Sequence, residues 1–233
     1  MALVAGAVLL PAGLEAQEAP PPIADNSFLL EEAYNQESGM VQHINTLWRS
    51  RGSWSYSFTQ EWPLSGQRHQ LSFTVPVAGG LGDVALNYRH QVSGVGRNVA
   101  LAPRLSLILP TGDEDRGYGT GAVGYQFNLP VSVLVVQNLV THWNAGATVT
   151  PAIDETIYNA GASAIWLARP TFNVMLELAW SGTAGSGELI INPGVRWAHN
   201  LGSLQIVPGI AFPIDHGVFF YLSFEHPFKA IAS

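Results

Sequence analysis

Alternation of apolar and polar side chains is the feature that most constrains how this chain can fold. Between Arg97 and Pro130 two arms flank the polar loop TGDEDRGYG. Every second position of each arm is apolar: Val99, Leu101, Pro103, Leu105, Leu107 and Leu109, then Val123, Tyr125, Phe127 and Leu129. Because successive side chains on a β-strand point to opposite faces, each arm has one apolar face. The pattern predicts a β-hairpin with a turn too polar to bury.

The same two-residue period continues over most of the chain after Gly39. Further segments of strand length are 40–49, 53–62, 68–75, 83–89, 139–150, 157–168, 172–181, 188–197, 204–212 and 218–225. With the central hairpin they predict about twelve strands, each close to the length of a tilted membrane strand. Short connections fall into two alternating sets. The chain is therefore predicted to be all-β, folded as a closed antiparallel up-and-down transmembrane β-barrel.

Composition indicates which medium the apolar face meets. Charged residues make up 12% of the chain, against about 25% in ordinary soluble proteins. Aromatic residues lie near strand ends on the apolar face, as in interfacial girdles: Trp54, Trp62, Trp180, Trp197 and Phe212. A soluble sandwich or lipocalin-type barrel would need a more charged exterior. We expect a monomer surrounded by lipid, with the sheet closed because lipid leaves no backbone group hydrated.

Several other classes of protein are excluded. No apolar run approaches the roughly 18 residues of a helical membrane span. A net charge of -7 with only 10 Lys and Arg argues against a nucleic-acid partner. The chain has 0 cysteines, which excludes disulfide scaffolds and thiolate metal sites. The glycines of GYGTGAVG lie on a strand without a following helix, so no dinucleotide and no other cofactor is predicted.

The N-terminal region is predicted to lie outside the barrel proper. Residues 1–16 resemble the apolar core and small-residue end of a secretory signal, without its basic start. Residues 17–39 are predicted to be a periplasmic linker with a short N-terminal segment, in which Asn26 or Ser27 could cap a short helix. That segment is either a disordered lead-in or tucks into the barrel mouth, and partial order near the rim is favoured. The barrel spans 40–228, and 229–233 is a C-terminal tail.

Six charged residues fall on the face opposite the apolar one, in the predicted lumen: Glu61, Arg89, Arg104, Glu177, Arg196 and Glu225. Unpaired charges in a narrow lumen are costly, so Arg–Glu pairs are predicted across neighbouring strands. The network either plugs and stiffens the lumen or forms a polar constriction that selects solutes. We favour the plug, because a barrel of this size has a limited bore.

Two polar clusters raise the question of catalysis or metal binding. His142 and Asn144 share one face, and a His–Asn pair with a serine is the catalytic set of outer-membrane phospholipase. No nucleophile motif is adjacent and no G-x-S-x-G occurs, so lumen-lining roles and no enzymatic activity are predicted. The consecutive carboxylates 113–115 lack the spacing of a calcium loop. A solvated turn and no metal site are predicted.

Four stretches carry a family resemblance: LAPRLSLILPTGDEDRGYGTGAVGYQFNLPVSV, LVTHWNAGATVTP, NSFLLEEAYNQESGMVQHI and GVFFYLSFEHPF. They resemble the outer-membrane family named for the meta-pathway of phenol degradation, whose members are often labelled "transporter". The resemblance implies a barrel in the bacterial cell outer membrane, linked by association to uptake of aromatic or other hydrophobic compounds.

The sequence thus predicts passive transport or binding of small hydrophobic or aromatic compounds across the outer membrane. The alternative is a structural envelope barrel with a closed, charge-plugged lumen. An outer-membrane lipid hydrolase is the third candidate.

Overall fold

The computed structural model describes Ile23 and residues 27–64, 66–94 and 97–228. The signal-like residues 1–16, Asn26 and the tail 229–233 lie outside this part of the chain. Fifteen strand segments form one sheet, with a single 3-10 turn at Pro151–Ile153. The segments are β1 (Met40–Ser50), β2 (Ser53–Pro63), β3 (His69–Val77), β4 (Val84–His90), β5 (Val99–Leu101), β6 (Arg104–Leu109), β7 (Gly124–Asn128), β8 (Val131–Val136), β9 (Leu139–Thr150), β10 (Glu155–Arg169), β11 (Phe172–Gly182), β12 (Gly187–Trp197), β13 (His199–Leu201), β14 (Leu204–Ala211) and β15 (Val218–Pro227).

The sheet closes on itself, because β1 pairs with β15 from Met40↔Pro227 to Arg49↔Val218 as well as with β2. Three barrel strands are interrupted, and each of them consists of two segments. The pairs of segments are β5 and β6, β7 and β8, and β12 and β13. Two interruptions lie at Pro103 and Pro130, whose nitrogens have no hydrogen to donate to the ladder. The result is a closed barrel of twelve antiparallel strands, which confirms the predicted fold class.

The strand connections lie at two ends of the barrel. The connections that follow β2, β4, β8, β10 and β13 share one end with Met40 and Pro227, which we call the terminal rim. Those that follow β1, β3, β6, β9, β11 and β14 lie at the other end, the loop rim. This alternation is the two-set pattern expected from the sequence.

The two faces of the barrel invert the arrangement of a soluble protein. Large apolar side chains are exposed on the outside, among them Leu86, Leu105, Tyr125, Trp143 and Leu176. Polar side chains are buried on the inside, among them Gln70, Asn87, Ser132, Asn173 and Asn192. The described residues include no helix that is long and apolar enough to cross a membrane.

Residues 27–39, which we call the inner segment, run through the lumen. The N–H of Ile23 donates to the carbonyl of Pro170 at the terminal rim, and the carbonyl of Gly39 accepts from Phe228 at the same rim. Between these points the chain reaches Arg104 and Asn144, half-way along their strands. The inner segment therefore lies deeper than the rim position expected from the sequence. The predicted short helix is wrong, because the backbone N–H groups donate to the wall instead.

Candidate functional site in the lumen

The inner segment is held by side chains of the barrel wall. It adds no strand to the sheet, so its backbone N–H groups need other acceptors, since buried donors are costly when unpaired. Wall side chains supply them. The bonds are Phe28 and Leu29 to Glu177 Oε1 (2.9 and 3.0 Å), Glu31 to Asn144 Oδ1 (2.9 Å), Ala33 to Ser132 Oγ (2.8 Å), Asn35 to Gln91 Oε1 (3.0 Å) and Gln36 to Gln70 Oε1 (2.7 Å).

Arg89 anchors the second half of the inner segment. Its Nη1 donates to the carbonyl of Glu32 at 3.1 Å, and its Nη2 donates to the carbonyl of Tyr34 at 2.7 Å. Its Nε donates to Asn35 Oδ1 at 2.8 Å. Arg89 also lies 3.8 Å from Glu61, an ion pair that reaches from β4 to β2 across the intervening β3. The expected pairing across neighbouring strands is therefore wrong for this arginine, which mainly binds backbone carbonyls.

Arg104 faces Arg89 in register on the adjacent strand, so two like charges lie side by side. A carboxylate of the inner segment compensates them, because Arg104 Nη2 lies 2.7 Å from Glu31 Oε1. Asn128 Nδ2 donates to the same oxygen at 2.8 Å. The carboxylate that pairs with Arg104 thus comes from the inner segment, while the neighbouring strands supply the neutral acceptors Asn87 and Gln126.

Glu177 and Arg196 hold the first residues of the inner segment, and each is 0% exposed. Glu177 Oε2 accepts from Asn192 Nδ2 at 2.7 Å, while Arg196 donates to the carbonyl of Ser27. Two opposite charges enclosed together offset part of the cost of burying either one alone.

Glu225, the sixth predicted charge, faces the lumen opposite Gln42 and Gln205 in register, nearer the terminal rim.

His142 and Asn144 also face the lumen, but their side chains contact different parts of the protein. Asn144 Nδ2 donates to the carbonyl of Glu31 at 2.7 Å, so it anchors the inner segment. His142 Nδ1 lies 2.6 Å from Ser132 Oγ, on the neighbouring strand β8. Sequence reasoning missed Ser132, since only the strand register brings it opposite His142. Both are 0% exposed beneath Ala33, so the inner segment in its seated position covers this Ser–His pair.

Open space remains on two sides of the Arg104–Glu31 ion pair. One cavity of about 340 Å³ is bounded by hydroxyl-bearing residues of β1 to β3 and by three aromatic rings, Phe28, Phe219 and Tyr221. The other, of about 260 Å³, is bounded by Asn159, Ala179, Ser181 and Ile190 among others. The inner segment therefore takes up part of the bore and leaves these two small cavities beside it.

Asp83 joins two connections at the loop rim. Its carboxylate accepts from the N–H of Gly112 at 2.9 Å and from the N–H and hydroxyl of Thr120 at 2.8 and 2.9 Å. Burial alone would raise the pKa of Asp83, but these hydrogen bonds outweigh it and lower the pKa below its usual value. Loop 110–123 is thus tied to the β3–β4 connection.

The carboxylates 113–115 form a turn rather than a metal site. The side chain of Asp113 caps the turn, accepting from the N–H of Arg116 at 3.2 Å and pairing with its guanidinium at 3.3 Å. Within the described ranges, no three His, Asp or Glu side chains are placed to hold a metal ion.

Comparison with known proteins identifies the fold. The COG4313 outer membrane channel from Pseudomonas putida F1 superimposes with a TM-score of 0.61 at 12% identity, covering 87% of this chain and 100% of that one. The KdgM porin gives 0.60 at 9% identity, covering 82% and 99%. The NanC porin gives 0.56 at 6% identity, covering 82% and 100%. The fold is that of the twelve-stranded outer-membrane barrels.

No known protein-family model and no curated protein matches this sequence. The resemblance to the family of the phenol meta-pathway is therefore not confirmed and stays a prediction. The three solved structures named above are channels and porins rather than enzymes, which is consistent with a barrel without enzymatic activity.

Proposed function

We propose that this protein is a bacterial outer-membrane barrel through which small hydrophobic or aromatic compounds pass passively, and that the inner segment closes the lumen at rest. The observation that carries the proposal is how the lumen is closed. A separate stretch of chain fills it, held through side-chain contacts, whereas the strands themselves leave a bore. A closure of this kind can be displaced without breaking a strand pairing.

The setting of the barrel supports the proposal. Its outside carries exposed leucine, tyrosine and tryptophan side chains, and its charges face inward, which suits a monomer embedded in lipid. Proteins of the same fold include the KdgM porin and the COG4313 outer membrane channel. By this analogy of fold, the barrel spans the outer membrane and conducts solutes.

The lumen also suggests the class of solute. The larger cavity brings aromatic rings of the inner segment and of β15 next to hydroxyl-bearing wall residues, and the charged side chains of Glu61, Arg89 and Arg104 also bound it. Such a lining offers apolar contact beside groups that bind a polar substituent. Small aromatic compounds with one polar group match both parts of this lining.

A structural envelope barrel is the second candidate, and the contacts of Arg89 favour it. This arginine is 6% exposed, and its guanidinium donates to Glu32, Tyr34 and Asn35 of the inner segment. Contacts to a charged group are individually worth about 1.5–3 kcal/mol. If their sum keeps the inner segment seated under all conditions, the lumen never opens.

A disulfide that locks the inner segment to the barrel wall, and that can be reduced again, distinguishes the two candidate functions. Ser27 Oγ of the inner segment lies 3.1 Å from Ser163 Oγ of β10, so cysteines at both positions are within reach of a disulfide. The chain has 0 cysteines of its own, so no other disulfide can form. We expect proteoliposomes with the reduced double variant to admit phenolic solutes and swell, and those with the oxidised variant to stay closed.

The single variants Ser27→Cys and Ser163→Cys are the matched controls, because neither can form the lock. Their swelling rates are expected to be unchanged by oxidant. No swelling in the wild type or in any reduced variant would support the structural barrel. Equal swelling in both redox states of the double variant would show that solutes bypass the inner segment.

A further inference from the structure

The side chain of Phe28 is seated in a recess of the barrel wall, which we call the ring socket. Its ring lies 5.5 Å from the ring of Phe219 and 5.4 Å from that of Tyr221, centroid to centroid, both at tilted angles. The remaining walls are Gly194 of β12, Gly209 of β14 and the guanidinium of Arg196. The ring socket therefore surrounds one aromatic ring of the protein itself.

Two glycines give the ring socket its depth. A Cβ atom on Gly194 would lie 2.6 Å from Phe28 Cε2, and one on Gly209 would lie 2.6 Å from Phe28 Cε1. Both distances are far below van der Waals contact, so a side chain at either position would force the Phe28 ring to shift. The wall is shaped to accept a flat six-membered ring at this point.

Arg196 adds a preference for aromatic over saturated rings. The carbon at the centre of its guanidinium lies 4.7 Å from the Phe28 centroid and 4.1 Å from the Tyr221 centroid. The guanidinium thus lies close to both rings, whose centroids are 5.4 Å apart at a tilt of 53°, and Arg196 is 0% exposed. Cation–π attraction is strongest where water is excluded, as it is here.

A third feature recognises a hydrogen-bond donor. The N–H of Phe28 donates to Glu177 Oε1 at 2.9 Å. In phenylalanine that nitrogen is separated from the ring by two carbon atoms, Cβ and Cα. The ring socket and Glu177 together therefore bind an aromatic ring that carries a donor on a two-carbon arm.

We propose that the ring socket, with Glu177, is the binding site for neutral monocyclic aromatic solutes that bear a donor on a short arm, and that Phe28 occupies it at rest as an internal competitor. This inference rests on the proposed function and names its solute class and site. Phe28, Phe219 and Tyr221 also bound the cavity of about 340 Å³, so the ring socket adjoins the open part of the lumen. A solute in that cavity can replace Phe28 and release the start of the inner segment.

Binding of 2-phenylethanol tests the proposal, because this molecule has the ring, the two-carbon arm and a hydroxyl donor. Titration calorimetry is performed on the full-length protein in detergent micelles, with empty micelles as the blank. In Phe28→Ala the competing ring is absent, while the backbone N–H of residue 28 remains, so the apparent affinity is expected to rise about tenfold or more, since apparent affinity scales with the fraction of sites whose ring socket is empty. Leu30→Ala is the matched control, because Leu30 packs against Gly161 outside the ring socket and leaves Phe28 seated. Its affinity is expected to stay near that of the wild type.

The ligand has a matched control as well. The compound 2-cyclohexylethanol keeps the arm and the hydroxyl but lacks the π face, so it is expected to bind Phe28→Ala about tenfold more weakly than 2-phenylethanol. Equal affinities for the two alcohols, or no gain in Phe28→Ala, would overturn the ring socket. If Phe28→Ala does not fold, Phe28→Leu serves instead, because leucine removes the competing aromatic ring but keeps an apolar side chain, and unchanged binding of 2-phenylethanol would overturn the proposal.

Binding and passage can fail separately. Swelling of proteoliposomes without selective binding of 2-phenylethanol would retain the conduit and reject the ring socket. Selective binding without swelling in any reduced variant would retain the ring socket and reject the conduit.

Discussion

Asp83 shows how one side chain can order a whole loop at the loop rim. A single carboxylate accepts from Gly112 and Thr120, which lie near the two ends of loop 110–123. In Asp83→Asn the amide has only one acceptor oxygen, so one of these contacts is lost. Because bonds to a charged group contribute about 1.5–3 kcal/mol, trypsin is expected to cut after Arg116 about tenfold faster. Asp154→Asn, which lies in the separate β9–β10 connection, is the matched control and should leave the cleavage rate unchanged.

Asp83 also predicts how this loop responds to acid. Its folded-state pKa is lowered, so its stabilising contribution is fully present above the ordinary pKa of aspartate and is lost as the pH falls through the lowered value. Pepsin cleavage within 110–123 should therefore begin only at a pH below that ordinary value. In Asp83→Asn the acid-induced increase should be much reduced. An identical pH profile in the variant and the wild type would contradict the assignment.

The lumen residues show how far single positions can be predicted from the sequence. Alternation alone places Glu61, Arg89 and Arg104 on the lumen face, because the two-residue period is read directly from the letters. Their partners could not be predicted in this way. Glu177 accepts from Phe28, which lies 149 positions away in the chain, and no local pattern records that contact.

Among the elements, the inner segment departs most from its local sequence signals. A capping serine followed by two glutamates favours a helix, which would satisfy the backbone internally. In the barrel the backbone donors find wall acceptors instead, and Ser27 Oγ bonds to Ser163 rather than capping a turn. Tertiary contacts outweigh a short helix of this kind because isolated helices of that length are marginal in water.

The seam that joins β12 and β13 to β14 is expected to be weaker than the long, unbroken seam between β9 and β10. It has six register pairs in two separate runs, Gly194↔Ala211 to Arg196↔Gly209 and His199↔Ile206 to Leu201↔Leu204, whereas the β9–β10 seam has twelve, from Glu155↔Thr150 to Trp166↔Leu139. Fewer ladder bonds permit local opening at lower free energy. Residue-resolved amide hydrogen exchange in micelles should show faster exchange at the β12–β14 seam. Equal or slower exchange there than at β9–β10 would refute this expectation.

The proposal that the barrel spans a membrane requires its outer surface to face lipid. Leu105 is 59% exposed at the middle of its barrel strand, and Val99 is 50% exposed at the terminal rim. If the barrel spans a membrane, an arginine at the middle should cost about 2–4 kcal/mol of unfolding free energy, and one near the rim about 0–1. Urea unfolding of Leu105→Arg and Val99→Arg in lipid vesicles measures both values. Equal costs would show that the outer face does not lie in a bilayer.

The sequence by itself determined the barrel. A period of two residues, few charges and short alternating connections leave a closed antiparallel sheet as the arrangement that satisfies every backbone group in lipid. Only the tertiary structure decided what fills the barrel. Contacts between distant parts of the chain determine the path of residues 27–39, the ion pair of Arg104 with Glu31 and the position of the Phe28 ring. Such contacts follow from strand register and barrel closure, which no single segment of the sequence encodes.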